Sequence, residues 1–220
     1  MLVTEWGLAE RMGVMSQQRR EHWERVYATK GDAELSWFQA KPEVSLGLID
    51  GLGERPRRVV DVGGGQSLLA GELLDRGVEE VAVVDVSGAA LARARERLGA
   101  RGARVKWVEA DVLEVGDLGK VDLWHDRAVF HFLTDAEERR RYAGAMARAV
   151  EVGGRAIVAT FALDGPEKCS GLPVCRFDAA GLGRAFAPEF VVEGFAEEAH
   201  ATPWGKVQKF VYVVMRRGGG

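Results

Sequence analysis

The sequence predicts an α/β fold on a parallel sheet, and three observations predict it. Val59-Val60-Asp61-Val62 is an apolar strand that breaks into Gly63-Gly64-Gly65, so the chain reaches the carboxyl edge of a sheet and turns there on residues without side chains. Residues 67–76 then place apolar residues at helical spacing, and after Gly77 a second apolar run, 81–84, closes on Asp85. Strand, glycine turn, helix, strand and acid make one βαβ unit. Two further apolar runs, 105–111 and 121–126, also end in acids, Asp111 and Asp126.

The glycine turn comes first because Gly63 and Gly65 let a ligand lie against bare backbone. About 20 residues on, Asp85 with Val86 suits a ribose, since a carboxylate accepts hydrogen bonds from two vicinal hydroxyls. A dinucleotide turn calls for a third glycine three residues after the second, and that position is Leu68.

Asp61-x-Gly63-x-Gly65, the acid of the second strand, Ala110-Asp111 at the end of the third and Asp126 at the end of the fourth resemble, in order, the motifs of class I S-adenosylmethionine (SAM) methyltransferases, from about residue 59 to 216. The resemblance implies SAM as cofactor and S-adenosylhomocysteine (SAH) as product. It assigns the adenine amino group to Asp111, a ring nitrogen to the Val112 amide, and the neighbourhood of the transferable methyl to Asp126. It also reads Gly153-Gly154 with 155–161 as a fifth strand, and 190–199 with 207–215 as a closing hairpin. The implied fold is Rossmann-like: seven strands, mostly parallel, the last antiparallel, with helices on both faces.

Ahead of the sheet, Trp23, Tyr27, Trp37 and Phe38 form a Trp-x3-Tyr-x9-Trp-Phe pattern, followed by Lys41-Pro42-Glu43 opening a helix toward Asp50. The pattern is similar to the N-terminal caps of thiopurine and tellurite methyltransferases and of elongation-factor lysine methyltransferases. That resemblance implies a lid over the methionine end of the cofactor, with Tyr27 and Trp37 touching it; plain packing on the sheet edge is the alternative. The expected organisation is a flexible tail over 1–14, a helical cap over 15–55 and a SAM-dependent methyltransferase domain over 56–217.

The global numbers fit one enzyme domain. A chain of 220 residues that is 47% hydrophobic buries a sizeable core. A net charge of -3 with pI near 5.9 gives no general attraction to nucleic acid, and Asp126-Arg127-Ala128-Val129 stands where base methylases carry an Asn-Pro-Pro-Tyr type tetrapeptide. The longest apolar stretch, 156–163, is too short to span a bilayer. The first fourteen residues hold no signal-peptide core, and two cysteines fit a reducing cytoplasm better than a disulfide scaffold. Arginine outnumbers lysine, which fits a GC-rich bacterial source. Two thiols and four scattered histidines do not make a zinc site, so no metal is expected.

In a parallel sheet the loops after each strand converge on one edge. Asp126, Arg127 and His131 follow the fourth strand, Cys169 and Cys175 the fifth, and His200 and Trp204 the sixth. His131 is the candidate base and Asp126 the orienting carboxylate; as alternatives, His131 packs in a mostly apolar turn and Asp126 caps the turn that follows it. Arg127, Cys169, Cys175, His200 and Trp204 are candidate substrate contacts, and the two cysteines suit a soft acceptor. The leading function is methyl transfer to a small-molecule acceptor such as a thiol or metalloid. The rivals are a protein lysine methyltransferase and a non-catalytic SAM-binding regulator. A monomer or homodimer acting without nucleic acid or membrane is expected.

Overall fold

The computed structural model describes the backbone of residues 5–31 and 34–219, and side chains from Gly13 onward. The apolar runs read from the sequence become β1 (Arg58–Val62), β2 (Glu80–Asp85), β3 (Val105–Glu109), β4 (Val121–Arg127) and β5 (Val150–Phe161), and the chain closes with β8 (Phe190–Ala201) and β9 (Val207–Arg217). These seven strands form one sheet in the order β3-β2-β1-β4-β5-β9-β8. β1 to β5 pair in parallel, and β9 runs antiparallel to both β5 and β8. The order reverses beside β1, so the loops after β1 and β4 separate there and leave a crevice at the carboxyl edge.

Both sheet faces are covered, which is why the central strands carry near-continuous Val, Leu and Ile. On one face Trp124, Phe130, Tyr142 and Phe186 pack under α5 (Ala136–Ala149) and α6 (Ala179–Arg184). On the other, Leu46, Leu69, Leu73 and Leu123 pack under α2 (Glu43–Asp50), α3 (Leu69–Asp75) and α4 (Gly88–Leu98). α4 starts where the Ser87 side chain accepts from the Ala90 amide at 3.2 Å, and α5 where Asp135 accepts from Glu137 and Glu138; both are side-chain N-caps.

The N-terminal segment differs from the sequence expectation at its start. α1 runs Glu5–Thr29, so helix extends through most of the stretch read as a flexible tail; residues 1–4 lie outside the described residues. α1 rests on α4, where Arg93 donates to the Tyr27 carbonyl at 2.7 Å and Glu24 accepts from the Ala89 amide at 3.3 Å. The Gly/Pro segment after β5 also carries structure that was read as loop: a short hairpin of β6 (Lys168–Cys169) and β7 (Leu172–Pro173), turning at Ser170 and Gly171 with φ of +49° and +82°.

Candidate active site

Two adjoining cavities open at the carboxyl edge and share Tyr27, Trp37, Val62, Gly63 and Arg127 as walls. The larger has a volume of about 860 Å³ counting its open mouth. Its one end is formed by Asp85, Val86, Asp111 and Val112, its other by Arg127, Phe161, Cys169 and Phe210, and Trp23 and Trp37 of the N-terminal segment roof it. The smaller lies between the glycine turn and α2, against Ser45, Asp61 and His125.

The glycines behave as the turn requires. Gly63 and Gly65 hold φ of +65° and +34°, where L side chains are strained. A Cβ on Gly65 would sit 2.7 Å from the Tyr27 hydroxyl and 2.8 Å from Asp85 Oδ2, so space for the turn exists only without a side chain.

Each strand-end acid has a distinct environment. Asp61 is buried; its Oδ1 meets His125 Nδ1 at 2.7 Å, while its Oδ2 has no partner among the described residues. Asp85 accepts from the Ser87 amide at 2.8 Å, yet burial, reinforced by the Asp61 and Glu24 charges, pushes its carboxyl up to about 7. Asp111 accepts from the Leu113 amide at 2.9 Å and from Arg19 Nε at 2.7 Å, and Arg19 Nη1 also donates to Glu138 at 2.7 Å.

These groups fit SAM. The orphaned Asp61 oxygen beside the glycine turn is an acceptor suited to an ammonium group. Asp85 is a buried carboxylate on the cavity wall where the sequence leads one to expect a ribose, and Asp111 with Val112 lines it where adenine is expected. Tyr27 and Trp37 sit between the two cavities, where the cap was expected to meet the cofactor.

Asp126 does not line either cavity. It is fully buried, accepts from the Val129 and Phe130 amides at 2.8 and 3.0 Å and from the Tyr142 hydroxyl, which in turn accepts from Trp124 Nε1 at 2.9 Å. All this makes it the cap of the turn after β4, and the left-handed Ala128 (φ +75°) bends the chain back over it. Desolvation holds its carboxyl at about 6. His131 is likewise fully buried, against Phe132 and Phe161. Both its ring nitrogens are unpartnered among the described residues, and burial, with Arg127 nearby, pushes it down to about 3. His131 itself lines neither cavity, and it packs behind Phe132 and Phe161, which line the larger one, in agreement with the packing alternative for this residue.

Among the other candidates, Arg127 and Cys169 line the larger cavity and Cys175 does not. The Cys175 sulfur accepts from Arg139 at 3.5 Å, outside the cavity, so the two thiols do not face one ligand. Burial pushes the Cys169 thiol up to about 11. His200 donates from Nε2 to the Ser36 carbonyl at 2.8 Å, tying β8 to the cap, and Trp204 stands exposed at the β8–β9 turn; neither borders the cavity. Sequence reading missed Arg19, Ser45, His125, Glu198 and Tyr212. Each is a lone polar residue whose partner lies far along the chain, and only the His125-Asp126 pairing at a strand end hinted at one of them.

Among the described residues no cluster of His, Cys, Asp and Glu fits a metal ion, and no helix is long and apolar enough to cross a membrane. Residues 59–154 match the family model described as a methyltransferase domain. The chain is 25% identical over 142 residues to the eEF1A lysine and N-terminal methyltransferase of Bos taurus, a match covering 61% of this chain and 20% of that protein. The chain thus spans about a fifth of the length of the curated relatives it matches.

Among solved structures, one described for converting a disulfide bond into a thioacetal group during echinomycin biosynthesis aligns at TM-score 0.74 and 22% identity over 90% of this chain and 93% of that one. The 1,6-didemethyltoxoflavin-N1-methyltransferase of Burkholderia thailandensis aligns at TM-score 0.67 and 18% identity over 100% and 92%. With the ordered strand-end motifs and a sheet whose order reverses beside β1, residues 59–154 match a methyltransferase domain within a chain that shares the fold of these solved methyltransferase structures.

Proposed function

We propose that the protein transfers the SAM methyl group to a small-molecule acceptor held between the cofactor and the Arg127–Phe210 wall. The observation that carries this is the single cavity of about 860 Å³ that runs from Asp85 and Asp111 to Phe161 and Cys169 under an aromatic roof. SAM supplies an activated methyl carbon, so the protein's task is to hold a nucleophile close, in line and dry. Trp23, Trp37 and Phe132 pack edge to face at 5.0 and 5.7 Å between centroids, and this rigid apolar roof excludes water.

The solved structures acting on echinomycin and didemethyltoxoflavin support small organic acceptors. Cys169 alone at the cavity supports a thiol over a metalloid, because a soft ion calls for more than one thiolate. The protein-lysine reading draws on the eEF1A relative; against it stands a cationic Arg127 at the acceptor end. The test is a turnover screen of purified protein against thiols, phenols, amines and dialysed lysate protein, reading SAH release. Signal from small molecules is expected; signal from dialysed protein alone would reverse the assignment.

A further inference from the structure

The acceptor end of the cavity has a lopsided set of ionisable groups. Beyond the cofactor-side Asp85, Asp111 and Arg19, its walls hold Arg127, Cys169 and Tyr27. Burial raises the Tyr27 hydroxyl well above its ordinary value and the Cys169 thiol to about 11, so both keep their protons. Asp126 and His131 are buried and do not line it. Among the described residues that line this end there is thus one cation and no carboxylate or imidazole.

The cation is held ready. Arg127 Nε donates to the Tyr212 hydroxyl at 2.9 Å, Nη1 to the Trp37 carbonyl at 3.1 Å and Nη2 to Glu198 Oε2 at 3.3 Å. A guanidinium has five N–H donors; three are used, so one remains on each terminal nitrogen. The Phe210 ring lies 4.4 Å from its central carbon, which fixes its plane. Glu198 also accepts from Tyr212 at 2.6 Å and from Gln39, so a carboxylate held by three donors fixes the position of Arg127. Only a tenth of the Arg127 side chain is exposed, and in so dry a place a hydrogen bond to a charged group is at its strongest.

We propose that Arg127 receives the acceptor's nucleophilic atom as an anion, so that the substrates are small molecules with an acidic S–H, O–H or ring N–H group, aromatic thiols and phenols among them, and not amines. The inference deepens the small-molecule reading and rests on it. The acceptor releases its proton to solvent and enters ionised. Its lone pair forms the new bond to the methyl carbon while the carbon–sulfur bond breaks, and that electron pair stays on sulfur, leaving a neutral thioether. An amine would enter as an ammonium beside a guanidinium and find no carboxylate or imidazole on the lining of that end to take its proton.

The test uses SAH-loaded protein and 4-nitrophenol, whose neutral and ionised forms absorb differently. The parent should bind the ionised form and lower its apparent pKa by about one unit or more, roughly a tenfold preference. Arg127→Met should abolish that shift while still binding SAH by calorimetry; if it fails to bind SAH, Arg127→Lys carries the comparison with a weakened shift. In turnover, thiophenol should be methylated in preference to n-butylamine. Binding of the neutral form, an unchanged shift in the variant, no binding of the probe, or faster methylation of the amine overturns the proposal. Loss of SAH binding by the parent would instead remove the methyltransferase reading beneath it.

Discussion

Arg19 Nε lies 2.7 Å from Asp111 Oδ2 although the two residues stand 92 apart in the chain, so α1 is fastened directly to the acid that lines the cavity beyond β3. Glu138 of α5 takes the second arm of the same guanidinium. Replacing Arg19 with Met keeps the stem and removes the fork. It should weaken SAH about tenfold, or about 1.4 kcal/mol, the size of one charge-assisted hydrogen bond, and should lower hydrogen-exchange protection across residues 15–29. Unchanged affinity and protection would show the bridge to be incidental.

Asp85 should tie cofactor affinity to pH. Its carboxyl sits at about 7 in the ligand-free protein, above the ordinary carboxylate value. Its contribution to stability is therefore full below about pH 4 and lost as pH rises through 7. Only the ionised form accepts from both ribose hydroxyls, so SAH should bind more tightly at pH 8 than at pH 6. Asp85→Asn should flatten that dependence, weaken binding by about 2 kcal/mol and raise the ligand-free melting midpoint at pH 8. Calorimetry across the range decides it; a flat profile in the parent sinks the ribose assignment.

The strand ends and the glycine turn were legible because their signals are local: period, an acid at the edge, and glycines where only glycine fits. His125 shows where legibility stops. It reads as one more strand residue, yet its ring joins Asp61 at 2.7 Å to Ser45 Oγ at 2.9 Å, contacts fixed by the pairing of β1 with β4 and by the placing of α2. α1 was read short because its apolar residues form no stripe. Asp126 stayed open between an orienting carboxylate and a cap of the following turn because a motif position names a place and not the direction of a side chain.

His125→Leu should accordingly cost about 2–3 kcal/mol in urea unfolding, since it leaves Asp61 and Ser45 buried without that partner, and should weaken SAH through the glycine turn. A loss below 0.5 kcal/mol, within the range of ordinary surface substitutions, would show that water or relaxation replaces the ring.

His131→Leu should behave in the opposite sense. A neutral ring with both nitrogens unsatisfied gains nothing from its polarity, so an apolar replacement of similar bulk should keep or raise stability and leave turnover within about threefold. A large drop in kcat together with loss of a titration near pH 6 to 7 would restore it as a base.

Cys169 and Cys175 should separate under alkylation. Cys169 lines the cavity with its thiol held at about 11, so iodoacetamide should modify it slowly, and SAH should slow it further. Cys175 lies outside the cavity, so its rate should ignore SAH. Peptide mapping of the labelled protein measures both, and equal protection of the two would place Cys175 at the cavity after all.

One cavity is lined from Asp111 to Phe210, so on the proposed reading a bound donor would itself form part of the acceptor's floor. An acceptor that arrives first meets an unfinished surface. Addition should therefore be sequential with the donor leading, SAH should leave last and compete with SAM, and the acceptor should trap the donor in place. Occupancy of the first ligand thus creates the recognition surface for the second.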